Sequence, residues 1–151
     1  MSSPPPLAFT LDELRSYLGR IFPQIWTTGT HEIEAIGPMS ARVRLRYHPD
    51  QLRPGGTISG PSLFALADLA LYVAILAQIG RVPLAVTTNL NINFLRKPPP
   101  GDVVGEARLM RLGKRTAVGE VALYSLGQAA MVAHATGAYA IPAGAGEDEV
   151  S

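Results

Sequence analysis

One acid, Asp68, stands in the middle of "RPGGTISGPSLFALADLALYVAILAQIG", residues 53–80, a stretch that opens in a glycine-rich loop and continues as an apolar segment. A carboxylate in that setting has three readings. It is a structural acid held by hydrogen bonds, an interruption in a segment that resembles a membrane span, or a working group of an enzyme. Burying an acid without a partner is costly, so the structural reading requires one. Just upstream, Pro61 suits the first turn of a helix, where its missing N–H costs nothing, with Ser59 or Gly60 as the cap. The first N–H groups of a helix have no partner inside it and lie at the positive end of its dipole. Asp68 follows Gly60 by eight residues, roughly 12 Å along a regular helix axis. Tyr72 comes one turn after Asp68 on nearly the same face, placed to pack against it or to line a pocket.

The elements that must position these groups read as follows. Thr10 and Glu13 have the spacing of a capping box, and a helix runs through "LDELRSYLGRIF" to Pro23. "HEIEAIG" and "ARVRLRYHP" alternate polar and apolar residues and read as strands joined by the turn "GPMS". The long apolar helix ends at Gly80. Four more alternating segments follow: "AVTTNLNINFLR", "DVVGEARLMRLG", "RTAVGEVALYSLG" and "AAMVAHATGAYAIP". The order is helix, two strands, long helix, four strands. The strands are too closely linked for parallel crossovers, so the sheet is expected to be antiparallel. A helix apolar all round has to be covered all round, by a curved sheet and by a partner subunit. The expected organisation is a flexible start over 1–9, a single α+β domain over 10–142 and a flexible acidic tail over 143–151.

Composition narrows the chemistry. The 151 residues are 47% hydrophobic and 17% charged, with a net charge of +1 and no basic run, so no nucleic-acid partner is expected. Cysteine is absent, which excludes disulfides, thiol nucleophiles and thiolate metal sites and suits the cytoplasm. His31, His48 and His134 show no ligand spacing, so no metal is expected, and His134, inside an apolar strand, reads as a core or interface histidine. The stretch 61–79 is nearly long enough to span a membrane. Asp68 and Gln78 interrupt it, and no anchoring charges flank both ends, so a buried helix is expected instead.

"GTISGPSLFALAD" (56–68) resembles the loop-and-helix signature of hotdog-fold thioesterases of the PaaI-like, phenylacetate-degradation type. "AVTTNLNINFLRKPPPGD" is similar to the strand after that family's helix, and "GKRTAVGEVALYSLGQAAMVAHATGAYAI" to its closing strand pair. The likeness covers about residues 30 to 142. It implies a long central helix wrapped by a curved antiparallel sheet, here with an extra N-terminal helix. It also implies a homodimer or a tetramer built from dimers, and hydrolysis of acyl-CoA thioesters at the dimer interface without metal or cofactor. Such a site needs a polarised carbonyl, an attacking water or carboxylate, and a thiol that leaves. By resemblance the Gly60 N–H polarises the carbonyl. Asp68 activates water or attacks directly, and Thr87 orients the water or the carboxylate. Since Gly60 and Asp68 of one chain lie two turns apart, Asp68 of one subunit is expected to face the Gly60 loop of the other.

The chain departs from the family signature at three places. Ser59 stands where the family has His, Pro61 replaces a second Gly, and Arg53 replaces an Asn that helps to bind the thioester. Ser59 therefore either donates to a carbonyl or caps the helix. Arg53 either touches the substrate or is solvated. Strict alternation puts Thr87, Asn89, Asn91 and Asn93 on one strand face, opposite Thr88, Leu90, Ile92 and Phe94. That face, with Asn89 among the substrate-binding candidates, lines an interface or is solvated. Arg96, Lys97, Lys114 and Arg115 stand at strand ends and turns, where related proteins contact CoA phosphates. Phe64, Leu63, Leu71 and Tyr72 are candidates for an acyl pocket. The alternative function is a non-catalytic acyl-CoA or fatty-acyl binding protein. A hydratase lacks its paired Asp and His in the central helix.

Overall fold

The computed structural model describes residues 6–143, so the flexible ends expected over 1–9 and 143–151 fall largely outside the described residues. Residues 6–9 are packed down. The Ala8 N–H donates to the Ala77 carbonyl at 2.8 Å, and buried Phe9 stacks on Tyr17. Helix α1 (Leu11–Ile21) starts at the expected capping box: Thr10 Oγ1 accepts from Glu13 N at 3.2 Å, and Glu13 Oε1 from Thr10 N at 2.8 Å. A single helical turn, α2 (Pro23–Trp26), follows. Strands β1 (His31–Gly37) and β2 (Ser40–Leu45) form the expected hairpin, and the loop after them carries a small second hairpin, β3 (Leu52–Arg53) and β4 (Thr57–Ile58).

Ser59, not Gly60, caps the long helix α3 (Gly60–Ile79), accepting from Ser62 N at 3.4 Å, with Pro61 in the first turn. The helix ends at Gly80, whose φ of 98° suits a residue without a Cβ. Strands β5 (Val86–Phe94), β6 (Val103–Leu112), β7 (Thr116–Ser125) and β8 (Met131–Ala140) complete one six-stranded sheet in the order β1-β2-β6-β7-β8-β5, antiparallel throughout. α3 packs against all six strands.

Glycines set how closely helix and sheet approach. A Cβ on Gly119 of β7 would stand 2.7 Å from Leu71 Cδ2 and 2.9 Å from the Arg108 carbonyl oxygen. One on Gly137, its partner on β8, would stand 2.6 Å from Leu90 Cδ1 and 2.9 Å from Leu71 Cδ1. Leu71 is thus seated in a slot floored by two glycines. The helix is long and apolar enough to cross a membrane, with mean hydropathy 1.9 over its most apolar window, but 72% of that window is buried inside the fold. Gln78 is accounted for by burial too: its Oε1 accepts from Met39 N at 2.8 Å and its Nε2 donates to the Pro6 carbonyl at 3.1 Å.

Cover around α3 is uneven. Residues 70–78 are buried on every side, whereas Pro61, Phe64, Ala65, Asp68 and Leu69 form a helical stripe that the chain leaves partly open. The outer face of the sheet is charged. Glu34 joins Arg42 and Arg44, Arg42 reaches Glu106, Arg44 reaches Asp102, and Arg108 and His134 share Glu120. The hydrogen bond from Arg42, and then that from Arg44, hold the Glu34 carboxyl below the usual carboxylate range. Of the two readings of His134, core or interface, the structure sets aside the core: strand alternation turns it to the outer face, half-buried and 2.9 Å from Glu120 Oε1.

The two sheet edges differ. β1 has a register shift between Ile33 and Ala35, and α1 lies beside it, with Arg15 donating to the Ile33 carbonyl at 3.1 and 2.6 Å. β5 pairs with β8 on one side alone among the described residues, and Leu84, Val86, Phe94 and Leu95 along or beside it are more than half exposed.

Candidate active site

Asp68 is half-buried, not enclosed as its apolar neighbours suggest. Its Oδ1 accepts hydrogen bonds from Thr87 Oγ1 at 2.6 Å and from the Tyr139 hydroxyl at 2.5 Å, and that hydroxyl also lies 2.9 Å from the Asp68 carbonyl oxygen. Thr87 reaches the carboxylate because β5 carries a bulge. Thr87 pairs with Tyr139 and Asn89 with Ala138, so Thr88 is the extra residue. This corrects the strict alternation expected of the strand. Thr87 shares the inner face with Leu90 and Ile92, and Asn89, Asn91 and Asn93 stay on the exposed face.

Asp68 opens into a cavity of about 370 Å³ lined by Leu69, Tyr72, Thr87 and Tyr139, by the connection 83–86, and by Ile21 and Phe22 from the N-terminal helices. Three rings form one wall: Phe22 meets Tyr72 edge-on with centroids 6.3 Å apart, and Tyr72 leans on Tyr139 at 6.3 Å. Tyr72 donates to the Pro83 carbonyl at 2.9 Å, and burial pushes its phenol up to about 12. Among the lining residues Asp68 carries the only carboxylate and no side chain is cationic.

Gly60 lies in a different cavity, of about 260 Å³, lined also by Arg53, Thr57, Ile58, Leu63, Phe94, Arg96, Lys97 and Pro98. As the first residue of α3, its N–H has no partner among the described residues. A Cβ here would stand 3.2 Å from Phe94 Cζ. Arg53, Arg96 and Lys97 surround this helix end, and none forms an ion pair with a described residue. The two cavities share no lining residue.

The structure thus sorts the sequence candidates into two groups. Asp68, Thr87 and Tyr72 come together, and so do Gly60, Arg53, Arg96 and Lys97. Ser59 is committed to capping, with its Oγ 3.0 Å from Ser62 Oγ. Asn89 is exposed on β5. Lys114 and Arg115 lie in the turn between β6 and β7, beside the Thr87 end of the sheet, and line neither cavity. Sequence reading missed two contributors. Tyr139 lies 71 residues from Asp68, in the "TGAY" that closes the family-like stretch. Phe22 stands at the end of a helix read only as an appendage. Among the described residues no group of three or more His, Cys, Asp or Glu could hold a metal.

The thioesterase superfamily model matches residues 55–132, just over half of the chain and most of the helix and sheet around both cavities. A crystal structure from Silicibacter sp. TM1040, named a "putative thioesterase", is 48% identical, with a TM-score of 0.82 over 90% of this chain and 94% of that one. A variant of the phenylacetic acid degradation protein PaaI from Thermus thermophilus is 29% identical, with a TM-score of 0.68 over 80% of this chain and 99% of that one. Zebra fish thioesterase superfamily member 2, at 18% identity and a TM-score of 0.77 over 89% of this chain and 100% of that one, shares the fold. With its helix wrapped by a six-stranded antiparallel sheet, the chain belongs to the thioesterase superfamily as a hotdog-fold protein of the PaaI-like type.

Proposed function

We propose that the protein is an acyl-CoA thioesterase whose site is completed by a second copy of the chain. The observation that carries this reading is the division of the machinery. One cavity holds a helix N-terminal N–H and three cations, none of them partnered among the described residues, and the other holds a carboxylate with two hydroxyl donors and an aromatic wall. Neither half suffices alone. The first can polarise a carbonyl and receive an anionic carrier. The second can activate water and accommodate an acyl group. Joining them requires the two-fold arrangement in which each Asp68 faces the other chain's Gly60. The partly open stripe on α3 and the open β5 edge are the surfaces available for that contact among the described residues.

In this reading the Gly60 N–H holds the thioester carbonyl and water attacks with Asp68 as base. Thr87 orients the carboxylate, and Arg53, Arg96 and Lys97 take the CoA phosphates. Thiol release from a panel of short-chain, medium-chain and aryl acyl-CoAs tests it. Turnover of at least one member is expected. Saturable binding without release favours the non-catalytic acyl-CoA-binding alternative.

The shared site has its own test. Asp68→Asn and Gly60→Val chains are each expected to be inactive, the second because its side chain stands over the donor N–H. Unfolding and refolding them together in equal amounts re-forms one intact site in each mixed dimer, so activity returns to about a quarter of the wild-type value. No recovery, with mixed dimers shown by mass spectrometry, would sink the two-chain site. Phe22→Ala, which removes one ring of the acyl wall, is expected to move kcat/KM by about tenfold in favour of bulkier acyl groups. An unchanged panel profile would remove Phe22 from the pocket.

A further inference from the structure

Asp68 has two carboxylate oxygens, and the fold treats them differently. Thr87 Oγ1 and the Tyr139 hydroxyl both donate to Oδ1, at 2.6 and 2.5 Å, and no described residue hydrogen-bonds to Oδ2. The two donors stand side by side because Thr87 and Tyr139 are direct cross-strand partners. The bulge at Thr88 is what turns Thr87 inward to make that pair. Tyr139 has little freedom to leave: it is 3% exposed, leans against Tyr72, and its hydroxyl also lies within 2.9 Å of the Asp68 main-chain oxygen.

Building on the thioesterase reading, we propose that Tyr139 is a positioning residue: with Thr87 it occupies Oδ1 of Asp68, which leaves Oδ2 as the oxygen that takes the proton from the attacking water. The terminal torsion of an aspartate is soft and roughly two-fold, so nothing in the side chain itself distinguishes its oxygens. Two donors on one oxygen remove that degeneracy and aim the other. The water oxygen bonds to the thioester carbon while its proton passes to Oδ2. Collapse of the tetrahedral intermediate breaks the C–S bond, and the proton passes from Oδ2 to the departing sulfur, giving a carboxylic acid and a thiol. Burial, and next the adjacent Asp68 carboxylate, hold the Tyr139 phenol well above its ordinary range, so it remains a donor wherever the enzyme works. Tyr72 is the other titratable group at this wall, and its hydroxyl is engaged with Pro83.

Tyr139→Phe keeps the ring and removes the donor. Hydrogen bonds to charged groups contribute about 1.5–3 kcal/mol, so kcat is expected to fall about 10- to 100-fold with KM changed less than about threefold. A carboxylate that loses a donor protonates more readily, so the acidic limb of the kcat/KM profile moves to higher pH. 3-Fluorotyrosine at position 139, a stronger donor of nearly the same shape, moves that limb to lower pH and serves if the Phe variant folds poorly. Titration of the Asp68 carboxyl carbon by NMR reads the same displacements without turnover. Wild-type kcat and an unmoved acidic limb in the folded variants overturn the proposal. A wild type that releases no thiol from any acyl-CoA fails the thioesterase reading instead. In that case an Asp68 titration unchanged by Tyr139→Phe overturns the clamp as well.

Discussion

Asp68→Asn is expected to lower kcat about 10³-fold while leaving the protein folded, because a positioned general base contributes about 10²–10⁴ in rate. Asn is the informative replacement. Its Oδ1 still accepts from Thr87 and Tyr139, so the two hydroxyls keep their acceptor and only the basicity of the second atom is lost. Asp68→Ala is less clean. It strands both donors in a partly buried site at about 1–3 kcal/mol each, and any loss of rate is then mixed with loss of stability. Thiol release under saturating acyl-CoA, with thermal melting alongside, separates the two. An Asn variant that turns over at the wild-type rate would remove Asp68 from the chemistry.

Gly119→Ala is expected to be the more damaging change to the fold. The added carbon would lie 2.7 Å from Leu71 and 2.9 Å from a main-chain oxygen of the neighbouring strand, and the latter cannot move without disturbing the sheet. Overpacking of this kind costs about 1–3 kcal/mol, which lowers Tm by about 3–10 °C for a chain of this size. The matched control is Gly19→Ala in α1, where an added Cβ meets nothing within 4 Å and replaces the poorest helix former short of proline. Its Tm is expected to stay level or rise. Equal losses in both variants would show that the glycine slot does not limit the approach of α3. Leu71 lies one turn from Asp68, so the Gly119 variant is also expected to lose rate beyond what its melting explains.

What the sequence disclosed and what it withheld divide by range. The ends of α1 and α3 were legible because capping is local chemistry: Thr10 with Glu13, Ser59 with Pro61, and Gly80 each act within a few residues. The hotdog arrangement was legible through one long helix in a strand-rich chain and through the motif ending at Asp68. The partners of Asp68 were only half legible. Thr87 was named, but strict alternation placed it on the wrong face, because a bulge is decided by the neighbouring strand and not by the strand's own pattern. Tyr139 gave no local signal. A tyrosine near the end of an alternating strand becomes a carboxylate's partner only when β8 is laid between β7 and β5. The core reading of His134 failed for the related reason that its apolar neighbours point the other way. Phe22 was hidden by its place in an appendage, and nothing in its own stretch indicates that the appendage closes one end of a cavity.

The unequal edges of the sheet bear on how many chains can assemble. Strand pairing at an open edge has no built-in limit, and a sheet open at both ends can be extended indefinitely, as in fibres. Here β1 is bulged and flanked by α1, with Arg15 occupying the Ile33 carbonyl, so among the described residues β5 is the less guarded direction for growth by strand addition. Two chains meeting through β5 would each cover the other's less guarded edge and leave β1 at both outer limits. In such an assembly further strand addition would meet only the bulged, helix-flanked β1 edges.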